Sequence, residues 1–211
     1  MIELYAWTTP NGRKVPIMLE ETGLPYNVHP VNIGRQEQFD PAYVRISPYS
    51  KIPAIVDKDA PGGPLSLFES GAILIYLAEK TGRLLARNGP ERYQTLAWLN
   101  WQVGGIGPFF GQLGFFAIRS AEKAPLAIAR FTEESERLLR VLDRQLQNNA
   151  YLAGENYSIA DVAAYPWMFA ATTFLGSVLG PTIEAMPAVK RWMTGVGERE
   201  AVKRGMAVPK V

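Results

Sequence analysis

The chain has 211 residues, 47% hydrophobic and 20% charged, with a formal net charge of +2, a globular composition long enough for one large or two small domains. Lysine and arginine are interspersed with aspartate and glutamate, which excludes the basic stripe of a nucleic-acid binder, and the apolar runs are too short and interrupted to span a bilayer. The lack of any cysteine excludes a disulfide framework, thiolate metal sites and a cysteine nucleophile, and the single histidine, His29, excludes a multi-histidine metal centre.

Ile2, Leu4 and Ala6 alternate with Glu3, Tyr5 and Trp7, the period of a half-buried strand. A turn is expected over Thr8 to Gly12. A helix should follow from Arg13 to Thr22, with Val15, Met18 and Leu19 at helical spacing and Gly23 and Pro25 as stop signals. Pro16 requires either a place in the first turn or a local bend. A second strand is expected over Tyr26 to Val31, with His29 in a structural or surface position, then a loop and a short helix near Pro41 to Ile46. Ala54 to Asp57 and Leu65 to Phe68 read as a hairpin around Pro61-Gly62-Gly63-Pro64, and Ser70 to Thr81 as a helix stopped by Gly82. The order βαβ then ββα is that of a thioredoxin-like α/β domain, assigned to residues 1–82.

Strand signals end there, residues 83–89 read as a linker, and residues 90–211 read as an all-α C-terminal domain. Helical stretches are expected over Pro90 to Arg119, Pro125 to Gln147, Ile159 to Thr173, Pro187 to Val196 and near Glu200 to Gly205. Leu138, Leu139, Leu142 and Leu146 form an apolar stripe, and Ser158-Ile159-Ala160-Asp161 is a capping-box variant. The aromatic residues from Trp98 to Phe116 exceed what one helix face can bury, which points to a dimer interface and an apolar substrate wall. Gly104-Gly105, Gly107-Pro108 and Gly111 should bend or break that stretch. With no basic leader ahead of Met1-Ile2-Glu3, a cytoplasmic location is expected.

Two short segments carry the chemistry. Ser50-Lys51-Ile52-Pro53 leads into the apolar run Ala54-Ile55-Val56, so a proline-fixed corner presents main-chain groups that an extended ligand can pair with as an added strand. Leu67-Phe68-Glu69-Ser70 runs from a strand into a helix whose first N–H groups and dipole suit a carboxylate, while Glu69 suits an ammonium. The ligand so described is a small peptide bearing both charges.

These segments resemble the glutathione site of the cytosolic glutathione transferases. Thr8-Thr9-Pro10-Asn11-Gly12, Arg45-Ile46-Ser47-Pro48, Trp101-Gln102-Val103-Gly104-Gly105 and Gly154-Glu155-Asn156-Tyr157-Ser158-Ile159-Ala160-Asp161 are most similar to the nu-class, disulfide-reductase-like bacterial members. The resemblance implies glutathione as cosubstrate, no metal and a homodimer. It puts the γ-glutamyl carboxylate on Ser70, the ammonium near Glu69, the cysteinyl unit on the Ile52 backbone and the glycyl carboxylate near Lys51, with a cis bond before Pro53. It assigns Thr9 and Asn11 to the glutathione sulfur, with Tyr5 and Thr8 as rivals from other classes. Gln38, and Arg130 from the partner subunit, match positions that contact glutathione in those members, which hold two glutathiones or one glutathione disulfide per site, and Gln112 and Trp101 are weaker candidates.

Omega and beta transferases, like glutaredoxins, place a cysteine near the first turn, and this chain has none. The expected activity is therefore glutathione-dependent reduction of small disulfides using glutathione sulfurs alone. The alternatives are a conventional transferase or peroxidase acting on electrophiles or hydroperoxides, and a non-catalytic binding module of the same fold.

Overall fold

The computed structural model describes residues 1–211, which form two compact units: Met1–Arg87 together with Glu198–Val211, and Asn88–Gly197. In the first unit, strands β1 (Ile2–Ala6), β2 (Tyr26–Pro30), β3 (Ala54–Asp57) and β4 (Leu65–Phe68) form a mixed sheet of order β2-β1-β3-β4. β1 pairs in parallel with β2 and antiparallel with β3, and β3 pairs antiparallel with β4. The parallel β1/β2 pair needs a crossover, supplied by helix α1 (Pro10–Thr22). Two single turns, Ile33–Arg35 and Glu37–Phe39, lead to the short helix α2 (Pro41–Val44), and α3 (Ser70–Thr81) follows β4 and ends on left-handed Gly82.

Helix α1 starts earlier than the sequence spacing predicts. Thr9 caps it, its Oγ1 accepting from Gly12 N at 3.0 Å, and Pro10 occupies the first helical position. Pro16 therefore lies inside the helix rather than in its first turn. Having no N–H, Pro16 leaves the Gly12 carbonyl four positions back without its usual helical donor.

His29 occupies the structural position expected. Its ring stacks on Tyr5 at 4.7 Å between centroids, and its Nε2 lies 2.5 Å from Glu3 Oε2. Hydrogen bonds from His29, then Lys58 and Asn27, hold the Glu3 carboxyl down at about 2.

The second unit is helical: α4 (Pro90–Trp101), α5 (Gly107–Leu113), α6 (Pro125–Asn148), α7 (Ile159–Thr172), α8 (Gly176–Glu184) and α9 (Pro187–Gly197). The glycine-rich stretch between α4 and residue 119 does not break the helix. It widens into π-helical turns at Gln102–Ile106 and Gly114–Arg119. The leucine stripe of α6 is buried. Part of the aromatic surplus is used within this unit, where Phe116 stacks on Phe131 at 5.6 Å and Phe109 tilts against the same ring at 6.1 Å.

The capping box of α7 is formed and buried. Asp161 accepts from Ser158 N at 3.0 Å, Leu152 N at 2.9 Å and Trp192 Nε1 at 2.9 Å. No single helix is long and apolar enough to cross a membrane.

The C-terminal segment, grouped by its sequence with the helical region, packs in the first unit. Helix α10 (Glu200–Met206) lies on α1, with Arg199 gripping Glu21 through two bonds of 2.7 and 2.9 Å and Arg204 meeting Glu20 at 2.6 Å. Contact is close because Gly205 has no side chain, and a Cβ there would fall 2.5 Å from Ile17 Cα. Gly205→Ala is therefore expected to lower unfolding stability by about 1–3 kcal/mol through overpacking, measured by urea denaturation. An unchanged midpoint and slope would show that α10 yields without cost.

Candidate functional site

The sheet register gathers four connections at one edge of the first unit. Ala6, at the exit of β1, pairs with Pro30 at the exit of β2, and Ala54, at the start of β3, pairs with both Tyr5 and Phe68 near the exit of β4. The segments bearing Thr9 and Asn11, Gln38, Lys51 to Pro53, and Glu69 to Ser70 thus leave or enter the sheet at the same end. Arg130 is in the second unit, on α6, exposed and 3.8 Å from Glu133. Gln112 is exposed on α5, and Trp101 ends α4 in an edge contact with Trp98 at 5.0 Å.

The segment before β3 is held by its carbonyl. Tyr43 Oη and Ser47 Oγ both donate to Lys51 O, at 2.6 and 2.9 Å. Burial pushes the Tyr43 hydroxyl up to about 12, so it stays a donor at neutral pH. Ser50 takes a φ of 54°, and the Ile52–Pro53 bond is cis. The Ile52 side chain packs on the cluster of Val31, Tyr43 and Ala54, while its main chain makes no hydrogen bond within the chain. Lys51 is exposed, its Nζ 5.9 Å from the Tyr49 ring centroid. The result is a rigid corner with one residue's backbone open to an extended ligand.

The segment after β4 is strained and polar. Glu69 is exposed at φ 69° and ψ 111°, a conformation costing a non-glycine residue about 1–3 kcal/mol. Its carboxylate makes no capping bond to α3, so the helix's first N–H groups stay open to another acceptor. Ser70 opens the helix and is 7% exposed.

Beneath it lies a residue the sequence reading passed over. Lys14 is 1% exposed, and its Nζ donates to Ser70 Oγ at 3.3 Å. Burial lowers the Lys14 pKa to about 7, against an opposing pull from Glu69. The signal that could have found it is its place four residues before Met18, on the face of α1 that the apolar residues define.

Thr9 is half-buried. Its oxygen accepts the capping bond, which leaves the hydroxyl hydrogen free to donate. Asn11 lies half-buried on the first turn of α1. Tyr5 packs into the Val31, Tyr43 and Ala54 cluster, and burial raises its pKa. Gln38 is half-buried, with its Oε1 enclosed and without a hydrogen-bond partner. No group of three or more metal-ligating side chains comes together in the chain.

A thioredoxin-like sheet followed in sequence by a helical unit is the glutathione transferase architecture. The family "Glutathione S-transferase, N-terminal domain" matches residues 8–80, and "Glutathione S-transferase, C-terminal domain" matches residues 107–200. The disulfide-bond oxidoreductase YfcG of Escherichia coli (strain K12) is 48% identical over 208 residues, covering 98% of this chain and 94% of that protein. A glutathione transferase family member from Pseudomonas fluorescens, solved with two glutathione bound, has a TM-score of 0.94 at 47% identity, covering 99% of this chain and 93% of its own. A glutathione transferase from Pseudomonas putida, solved with one glutathione disulfide bound per subunit, has a TM-score of 0.94 at 44% identity, covering 99% and 91%. The chain belongs to the glutathione S-transferase family.

The two bonds to Lys51 O make the corner part of the folded core. Tyr43→Phe should cost about 0.5–1.5 kcal/mol of stability, one neutral hydrogen bond, with Ser47 retaining the carbonyl. The combined Tyr43→Phe and Ser47→Ala variant should cost more than the sum of the two single changes, because the carbonyl then loses both of its donors. Strict additivity in chemical denaturation would show that water reaches that carbonyl.

Proposed function

We propose that this protein is a glutathione-dependent disulfide-bond reductase that uses no sulfur of its own. The observation that carries the reading is the convergence at one sheet edge of the open Ile52 backbone, the uncommitted Glu69 carboxylate and the polar start of α3, in a chain without cysteine. Glutathione matches this set end for end. Its γ-glutamyl carboxylate is received by Ser70 and the first N–H groups of α3, and its ammonium by Glu69. The cysteinyl unit pairs with Ile52 at the Pro53 corner, and the glycyl carboxylate lies near Lys51.

A free thiol ionises at about pH 8.5, so the reaction gains from donors that favour thiolate. Thr9, with its hydroxyl hydrogen uncommitted, and Asn11, on the first turn of α1, take that role. The bound thiolate attacks one sulfur of the substrate disulfide, forming a mixed disulfide and releasing one substrate thiolate. A second glutathione thiolate attacks the glutathione-side sulfur, yielding glutathione disulfide and the second substrate thiolate. Gln38 is a further proposed contact of bound glutathione, and the second glutathione lies toward Arg130 from a second subunit of a homodimer. A reaction driven by reduced glutathione belongs in the cytoplasm, where the glutathione pool is kept reducing.

Turnover of a small disulfide, a halonitroarene and cumene hydroperoxide, measured side by side, should favour the disulfide, and intact mass during turnover should show no glutathione adduct. Preference for the halonitroarene or hydroperoxide would instead assign a conventional transferase or peroxidase. Ser70→Ala should weaken glutathione binding by about 1–3 kcal/mol, since a charge-assisted acceptor loses its donor, with a smaller change in fold stability. Thr9→Ala and Asn11→Ala should lower kcat more than affinity, because they act on the sulfur and not on the ends of the peptide. Loss of activity in Tyr5→Phe, with both alanine variants active, would transfer the activating role to the tyrosine.

A further inference from the structure

Lys14 is fully buried in helix α1, where an apolar side chain of similar length would be expected to serve stability as well or better. Its position therefore calls for a reason beyond packing. An ammonium only donates hydrogen bonds, so with Nζ at 3.3 Å the Ser70 oxygen must be the acceptor, and the serine's own hydrogen must point elsewhere. Ser70 stands at the first turn of α3, where the helix N–H groups face a ligand.

We propose that Lys14 is a positioning residue of the γ-glutamyl site: its buried ammonium orients the Ser70 hydroxyl toward the ligand carboxylate, and the lysine gains a proton as that carboxylate binds. The inference rests on the glutathione reading of the site and adds a proton-coupled group behind it. Glutathione reaches Ser70 from outside while Lys14 reaches it from within, so the lysine acts on the ligand through the serine and through its field.

The charge of Glu69 favours the protonated form of Lys14, against its burial. On β1, Glu3 is engaged by His29 and Lys58. On α1 itself, Glu20 and Glu21 are taken by Arg204 and Arg199 from the α10 side, where Glu200 pairs with Lys203. Glu79 and Lys80 lie at the far end of α3, with Lys80 on Asp57 at 2.8 Å. When the ligand ammonium occupies Glu69, the carboxylate at Ser70 supplies the negative charge that favours protonated Lys14. With a free-state pKa of about 7, the lysine is near half-charged at neutral pH and gains the remainder on binding. The direction is fixed: the charged form binds, so affinity falls as pH rises through the free-state pKa.

The test uses S-methylglutathione, whose sulfur cannot ionise, in calorimetry at pH 7.0 in two buffers of different ionisation heat. The wild-type protein should take up about half a proton per site more than Lys14→Met, and its affinity should fall about tenfold more than the variant's between pH 6.5 and 8.5. Lys14→Met should fold, with unfolding stability at or above wild type in acid. Should it not fold, proton uptake by the wild type at pH 7.0, where the ligand amine is mostly protonated in both states, decides the matter alone. Binding without such uptake would overturn the role of Lys14 and leave the glutathione site standing. No binding of S-methylglutathione to the wild type at any pH would overturn both.

Discussion

The pairing of β1 with a parallel neighbour on one side and an antiparallel one on the other sets the position of every candidate residue in the first unit. The parallel partner, β2, ends where β1 ends, and the antiparallel partner, β3, begins there. β4, antiparallel to β3, ends there too. Four loops of unrelated sequence therefore meet at one edge. A slip of one residue in any pairing would turn the side chains to the opposite face and dismantle the edge.

This edge is costly to the fold. Three of the four non-glycine residues with positive φ, Gln36, Ser50 and Glu69, lie in or beside the candidate segments. A fully buried lysine and a buried serine lie beneath them, and a glutamine carbonyl is enclosed without a partner. Each departs from what stability alone would select. They are concentrated at one end of the sheet, while the core around Leu4, Ile17, Met18 and Ile55 is apolar and buried, the distribution expected where stability is traded for a functional site.

Much of this was legible in the chain because the signals are local. The period of Ile2 to Ala6, the hairpin around Pro61 to Pro64, the helix from Ser70 to Gly82 and the capping box at Ser158 each follow from residues a few positions apart. The α8 helix was not read because Gly176, Gly180 and Pro181 weaken the pattern, whereas in the fold Leu179 and Ile183 bury and sustain it. The packing of α10 on α1 and the burial of Lys14 are tertiary facts. The first depends on a backbone approach at Gly205 and on ion pairs between residues about 180 positions apart. The spacing of Lys14 from Met18 puts it on the apolar face of α1, but a lysine there usually carries its ammonium to solvent, and its 1% exposure and the contact with Ser70 are set by the tertiary packing. The start of α1 was displaced because Asn11 and Gly12 favour turns, yet the Thr9 cap and Pro10 begin the helix before them.

Because the chain supplies no thiol, exchange on the proposed route uses two glutathione sulfurs within bonding reach of one another, and this stoichiometry is the account's most exposed consequence. Equilibrium titration by calorimetry, with glutathione and glutathione disulfide in parallel, reads it directly. Two glutathione molecules, or one glutathione disulfide, should saturate each subunit. Saturation by one glutathione per subunit with no binding of the disulfide would contradict it.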